Sequence, residues 1–125
     1  MTQHTVTLEK GLTIGDERHT KVVLRELSAG DLIAAMEESE RLIMVPGANG
    51  AEPALVTSNT LMGINTLRRQ VASIGSVDGP LEREQLSLLS NKDLEILHQG
   101  VAALDTAIVN ALEARGRSAA ADQTN

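Results

Sequence analysis

Three histidines, at positions 4, 19 and 98, are the side chains best suited to bind a transition metal or to transfer protons. His4 and His19 fall in the same predicted β-hairpin, where an even and an odd residue number place them on opposite faces. His98 lies in a predicted helix and lacks the second histidine and the glutamate of a motif such as HExxH. We therefore expect no metal site and no cofactor.

Three carboxylates, those of Glu37, Glu38 and Glu40, lie within one helical turn, and paired carboxylates can perform general acid–base chemistry. The same spacing is also typical of the solvated face of an amphipathic helix. The glycine pattern GANG at 47–50 lacks the basic flanks of a nucleic-acid clamp and the lysine of a phosphate-binding loop. These patterns favour a protein that is not an enzyme.

The composition narrows the class of partner. The 125 residues carry a net charge of −6 and include no Phe, Tyr, Trp or Cys. Without aromatic rings the chain cannot stack nucleic-acid bases, and its acidity argues against a DNA-binding regulator. The missing cysteines exclude disulfide and thiol chemistry, and no apolar run is long enough to cross a bilayer. We expect a protein of the cytoplasm that binds neither nucleic acid nor membrane.

The order of the predicted elements indicates a helix-dominated α+β fold, with helix well in excess of strand. An N-terminal hairpin at 4–26 carries its apolar residues at even positions, so that they share one face. Three main helices follow at about 28–44, 58–74 and 90–115, with a short helix at 81–89. Residues 45–57, rich in Gly and Pro, are predicted to be a long connection. We expect one domain over 1–115 and a disordered tail at 116–125.

Nearly the same six residues occur twice, as LSAGDL at 27–32 and LSNKDL at 89–94. In each copy a serine is placed to cap a helix and an aspartate three residues later to complete a capping box, namely Ser28 with Asp31 and Ser90 with Asp93. The similarity ends with the motif, which argues against an internal repeat.

The last predicted helix carries an aliphatic seam with heptad-like spacing, formed by Leu94, Leu97, Val101, Leu104, Ile108 and Leu112. Its first turns fit a core position. A helix of about 25 residues is roughly 37 Å long, which exceeds what so small a domain can easily cover. We therefore predict that Leu104, Ile108 and Leu112 contact a partner protein or a second copy of this chain.

Several stretches together resemble a known family. These are TVTLEKGLTI, TKVVLRELSAGDL, LRRQVASIGSVDG and EQLSLLSNKDLEILHQGV, which occur in this order within residues 5–110. The chain resembles the tail assembly chaperones of Mu-like, contractile-tailed phages. The resemblance implies a non-enzymatic protein that binds the tape measure protein, keeps it soluble and helps to recruit tail tube subunits. It also implies action in the host cytoplasm and absence from the mature virion.

A structural component of the virion, such as a connector or tail terminator, is the alternative interpretation. Such a protein would bury its aliphatic seam in a symmetric ring and remain in the particle. Both interpretations describe a protein that works through protein–protein contacts.

Overall fold

The computed structural model describes residues 2–123. Within these residues lie six strands and four helices. In chain order they are β1 (Gln3–Ile14), β2 (Glu17–Arg25), α1 (Ala29–Glu38), β3 (Glu40–Gly47), β4 (Gly50–Thr57), α2 (Asn59–Gln70), β5 (Val71–Ile74), β6 (Val77–Asp78), α3 (Arg83–Ser87) and α4 (Asn91–Gln123).

The α+β class is confirmed, but the prediction of a helix-dominated chain is wrong. The strands form two antiparallel sheets, a four-stranded sheet in the order β1-β2-β5-β6 and a separate two-stranded sheet of β3 and β4. Four of the six strands lie after residue 39, where only helices and connections were expected from the sequence.

The N-terminal hairpin forms with the predicted apolar face. Leu8, Leu12, Val22 and Leu24 are buried in the core. A bulge between Thr7 and Leu12 shifts the register, and Gly11 in the bulge has φ of +79°, a conformation that glycine adopts without strain. The core is completed by side chains from β5, from the helices and from the segment before α3, chiefly Leu67, Val71, Ile74, Leu81, Leu86, Leu97 and Leu104.

Helix α4 lies across β1 and β2 at close range. A Cβ atom at Gly100 would come within 2.6 Å of Val6 Cγ1 and 2.7 Å of Leu24 Cδ1, so the absence of a side chain permits this approach. Close contact between helix and sheet lets aliphatic side chains fill a core that has no aromatic residue.

The second half of the predicted first helix, 28–44, is wrong, because α1 ends at Glu38 and β3 begins at Glu40. Residues 45–57, predicted to be a connection, instead supply the end of β3 and all of β4. The two strands are joined through a two-residue turn between Gly47 and Gly50. This β3–β4 hairpin is called the arm below.

The predicted helix 58–74 is correct only as far as Gln70, because Val71–Ile74 joins the sheet as β5 beside β2. Gly75, directly after β5, has φ of +58° and begins the turn that leads to β6. Strand pairing with β2 therefore overrides the local helical pattern of this segment.

The two remaining helices differ from prediction mainly at their ends. The short helix expected at 81–89 covers only Arg83–Ser87. The helix expected at 90–115 extends over Asn91–Gln123, so the predicted disordered tail is helical as far as the structure describes it. Residues 124 and 125 of that tail lie outside the described residues.

The repeated six-residue motif takes two different forms. In the first copy the predicted capping box is present, since the Ser28 side chain accepts from the Asp31 N–H and the Asp31 carboxylate accepts from the Ser28 N–H. In the second copy Ser90 accepts from the Asp93 N–H at 3.1 Å, but the Asp93 carboxylate binds β1 instead. The predicted second capping box is therefore only half formed.

The buried carboxylate of Asp93 fastens α4 to the bulge of β1. It accepts hydrogen bonds from the backbone N–H groups of Glu9, Lys10 and Gly11 at 2.6, 3.1 and 2.9 Å. Burial acts to raise the pKa of this carboxyl, but the backbone hydrogen bonds outweigh burial, so its pKa lies below the usual value. The side chain that the sequence assigns to a helix cap is thus a tertiary anchor.

Candidate functional site

The arm is fixed to the rest of the chain at its base. Ser39, fully buried between α1 and β3, donates from Oγ to the Ala35 carbonyl at 2.6 Å and accepts from Asn65 Nδ2 of α2 at 3.0 Å. The N–H of Ser58, just after β4, donates to the Ser39 carbonyl at 2.9 Å. Both ends of the arm are therefore held next to α2, which fixes the position from which its outer part extends.

A chain of ion pairs supports this base from β2 through α1 to α2. Arg25 donates to both carboxylate oxygens of Asp31 at 2.8 and 3.1 Å, and Asp31 lies 3.8 Å from Arg69. Glu38 pairs with Arg69 and, at 2.6 Å, with Arg68.

The arginines lower the pKa of both carboxyls. For Asp31 the main cause is the hydrogen bond from Arg25, and for Glu38 it is the hydrogen bond from Arg69. The same pairing raises the pKa of Arg25. Glu38, which the sequence grouped with a solvated acidic face, is in fact part of the framework that orients α1 and the arm.

One face of the arm is apolar from near its base to its tip. Directly paired residues share a face in an antiparallel ladder, and the pairs on this face are Leu42–Leu55, Met44–Pro53 and Pro46–Ala51. Leu42, Met44 and Leu55 remain 69, 62 and 64% exposed. Contiguous exposed aliphatic side chains of this kind mark an interaction surface.

A groove of about 470 Å³ opens between α2, α3 and α4. Its aliphatic lining comes from Ile64 and Leu67 of α2, Leu86 of α3 and Leu94 of α4. Gly63 also lines the groove, and a Cβ atom there would meet no other atom within 4 Å, so the space beside it is open. A concave aliphatic groove between helices can receive the apolar face of a partner helix.

The arm and the groove are the candidate surfaces for protein contact, and comparisons with known proteins identify the family of the chain. The model of the family described as tail assembly protein gp41 matches residues 8–117. The chain belongs to this family.

Known relatives are similar in sequence to this protein over most of its length. It is 39% identical over 116 residues to Mu-like prophage FluMu protein gp41 of Haemophilus influenzae, with 93% of this chain and 89% of the relative covered. It is also 39% identical over 118 residues to probable tail assembly protein gp41 of Escherichia phage Mu, with 90 and 79% covered. A longer relative of the same phage, probable tail assembly protein FS-gp41, is 38% identical over 109 residues, and 56% of its length is covered. No solved structure matches this chain.

The three partner-contact residues predicted in this member of the gp41 family lie in different environments. Leu104 is 0% exposed and belongs to the core, so in this structure it is not accessible to a partner. Ile108 is half-buried against the same core, and Leu112 is 57% exposed. Their heptad-like spacing reflects core packing first, and only the distal end of the seam reaches the surface.

The histidines do not converge, although the predicted reason for this is wrong. His4 pairs with Leu24 and His19 with Leu12, so both lie on the inner face of the hairpin but at its opposite ends. The prediction depended on constant parity, but in β2 the inward-facing parity changes between His19 and Val22, where the register shifts. His98 lines the groove. In the described part of the chain, no three His, Cys, Asp or Glu side chains are grouped so that they could hold a metal ion, and no helix is both long and apolar enough to cross a bilayer.

Sequence reasoning missed both surfaces described above. The arm was assigned to a connection and a helix end, and the groove depends on α2, α3 and α4 meeting in space. A sequence signal for the arm did exist, because PGANG separates two segments with Val, Ile or Leu residues, as in a hairpin.

Proposed function

We propose that this chain is a tail assembly chaperone that binds the tape measure protein, keeps it soluble and helps to recruit tail tube subunits. Membership in the gp41 tail assembly family supports a role in building the tail. The observation that carries the finer proposal is the open aliphatic groove between α2, α3 and α4.

The groove suits a long helical client. Ile64, Leu67 and Leu86 provide an aliphatic floor, while polar residues such as Asn59 and Arg83 lie at its rim. Aliphatic side chains can repack against several registers of a client helix, which rigid aromatic rings would resist. A chaperone that must release its client benefits from such contacts, because no single anchor dominates the binding.

The acidic exterior supports a soluble, transient role. A net charge of −6 discourages self-precipitation while aliphatic surface remains exposed. We propose that the protein acts in the host cytoplasm and is absent from the mature virion. The distal side chains of α4, Ile108 and Leu112, are proposed as a second contact for the client.

A leucine at Gly63 tests the groove directly. Since a Cβ atom there meets nothing within 4 Å, Gly63→Leu should fill the groove without a clash, and replacing a helical glycine favours the helix. Gly116→Leu is the matched control, because Gly116 also lies in a helix with open space around it and is remote in sequence from the groove residues.

Each variant is co-expressed with the phage's tape measure protein, and the soluble client that co-purifies is measured. We expect wild type and Gly116→Leu to retain the client and Gly63→Leu to lose it. Retention by Gly63→Leu would reject the groove, and Leu112→Ser then tests the distal helix. If wild type neither binds nor solubilises the client, the chaperone proposal fails. The protein's presence in purified particles would instead favour the structural component.

A further inference from the structure

The two long edges of the arm are not equivalent. Among the described strands, β3 pairs with β4 and with no other, so each has one free edge. A free edge presents unpaired N–H and C=O groups that can bind another strand. Which edge can bind another strand depends on which residues direct their N–H and C=O groups outward.

The register of the arm determines the outward groups. Gly47 and Gly50 close a two-residue turn and so form a hydrogen-bonded pair, after which bonded and non-bonded pairs alternate. Met44–Pro53 and Pro46–Ala51 are then non-bonded pairs, whose backbone groups point away from the partner strand. Both prolines occupy positions at which no hydrogen bond within the arm is lost, which agrees with this assignment.

Proline therefore interrupts one edge in its middle and the other only at its end. Along β4 the outward positions include Pro53, which has no N–H to donate. Along β3 the outward donors are the N–H groups of Glu40, Leu42 and Met44 in unbroken succession, and proline follows only at position 46. The β3 edge is the one equipped to accept another strand.

We propose that a second copy of this chain pairs with the arm, antiparallel along β3, with a two-fold axis at Ile43. Leu42 of each copy then lies opposite Met44 of the other in a hydrogen-bonded pair, and the two arms form one four-stranded sheet. An isolated two-stranded sheet is marginally stable in water, whereas additional strands make such a sheet stable. A two-fold axis lets one surface complement itself.

Charge complementarity supports this occupant and this register. Arg41 lies near the base of the arm and Glu52 near its tip, on the face opposite the apolar one. Glu52 pairs with Val45, which is four positions after Arg41 in the sequence. The two charges of one copy are therefore about 13 Å apart along the strand. With the axis at Ile43, Arg41 of one copy lies opposite Val45 of the other. The Glu52 of that other copy lies on the strand beyond Val45, about 10 Å from Arg41 between Cα positions and within reach of the two long side chains. Two symmetric ion pairs would then connect the copies.

Pairing also changes the apolar face. Leu42, Met44 and Leu55 of both copies would lie side by side on one broad sheet surface. The interface thus joins the most exposed aliphatic residues of the arms without involving the groove between α2, α3 and α4. Self-association and client binding are therefore separate properties that separate substitutions can remove.

Proline substitution on each edge provides a matched test. Met44→Pro removes an outward N–H on β3, and Leu55→Pro removes an outward N–H on β4. Neither change removes a hydrogen bond within the arm, because both residues lie in non-bonded pairs. Sedimentation of the full chain over a range of concentrations measures the dimer dissociation constant of each variant, and circular dichroism checks that both are folded.

We expect wild type and Leu55→Pro to form dimers of similar affinity. Met44→Pro should raise the dissociation constant at least about tenfold, because the two-fold axis removes two hydrogen bonds at once. A monomeric wild type overturns the proposal, and so does weakening by Leu55→Pro but not by Met44→Pro.

Charge reversal keeps the proposal falsifiable if the proline variants misfold. Arg41→Glu alone and Glu52→Arg alone should each weaken the dimer, and the effect should be larger at low salt. The double variant should regain most of the lost affinity, because each new glutamate can then pair across Val45 with a new arginine of the other copy. Failure of the double variant to recover would reject the register centred on Ile43.

Discussion

Replacing Asp93 with alanine should destabilise the chain far more than the same change at Asp31, although the two residues occupy equivalent positions in the repeated motif. Asp93 is 0% exposed and accepts three backbone hydrogen bonds from the β1 bulge. Hydrogen bonds to a charged group contribute about 1.5–3 kcal/mol each. Water can reach part of the bulge once the carboxylate is gone, so we take the lower end, which gives a loss of about 4.5 kcal/mol for three bonds.

The loss expected at Asp31 is smaller because that carboxylate is nearer to solvent. Its side chain is 14% exposed and contributes one helix cap, a two-bond ion pair with Arg25 and a longer contact, of 3.8 Å, with Arg69. Such contacts are worth about 1–2 kcal/mol together. The free energy of unfolding of a folded domain is only about 5–15 kcal/mol. Asp93→Ala should therefore leave a marginally stable protein, whereas Asp31→Ala should leave most of the stability in place.

Urea unfolding followed by circular dichroism at neutral pH measures both losses. The difference between wild type and Asp93→Ala should shrink in acid, because wild type itself loses the interaction when the carboxyl is protonated. Equal losses for the two variants, or a loss of less than about 1 kcal/mol for Asp93→Ala, would refute the role of Asp93 as the main anchor of α4.

Two further predictions concern the seam of α4 and the response to acid. Leu104→Ala should cost about 2–5 kcal/mol in thermal or urea unfolding, because it empties a fully buried site, whereas Leu112→Ala should change stability by no more than about 0.5 kcal/mol. Similar losses at both positions would contradict the assigned burial. Three carboxyls have a lowered pKa in the folded chain, so the unfolded state binds more protons in acid. Stability should therefore be constant above about pH 5 and fall steadily below about pH 4, and a stability that rises in acid would contradict these ion pairs.

The first hairpin could be predicted because its signal is local and repeated. Leu8, Leu12, Val22 and Leu24 all occupy even positions, and burial of one face is enough to produce that pattern. The bulge leaves these leucines and valines buried although it shifts the register, and so it was not visible in the pattern. The structure reveals the function of the bulge, whose backbone N–H groups bind the carboxylate of Asp93.

The later strands could not be predicted because their pairing depends on distant partners. Val71–Ile74 continues the helical pattern of α2, yet it pairs with β2 some fifty residues earlier in the chain. Local propensity describes a segment by itself, and a strand gains most of its stability from a neighbour that the local sequence does not reveal. The same reasoning explains why the first helix is predicted to run to residue 44. Ile43 fits a helical pattern and a strand equally well.

The candidate surfaces were predicted least well because exposure is a property of the whole fold. Leu104 and Leu112 belong to the same seam in the sequence, but the sheet ends between them and only Leu104 is covered. Helical spacing identifies a face of a helix, and the extent of its cover depends on where the neighbouring elements stop.

The exposed apolar residues of the arm lie apart from the residues that fix the arm to the fold. The base of the arm is held by hydrogen bonds of Ser39 to Ala35 and Asn65, while Leu42, Met44 and Leu55 are largely exposed. Substitutions on the outer arm should therefore have little effect on the free energy of unfolding, since they neither open a cavity nor leave a buried polar group without a partner. The reverse holds for the base, where loss of the Ser39 hydroxyl removes the hydrogen-bond acceptor of the buried Asn65 Nδ2. In the proposed dimer, the residues that contact the second copy are thus different from the residues that fix the arm to the rest of the fold.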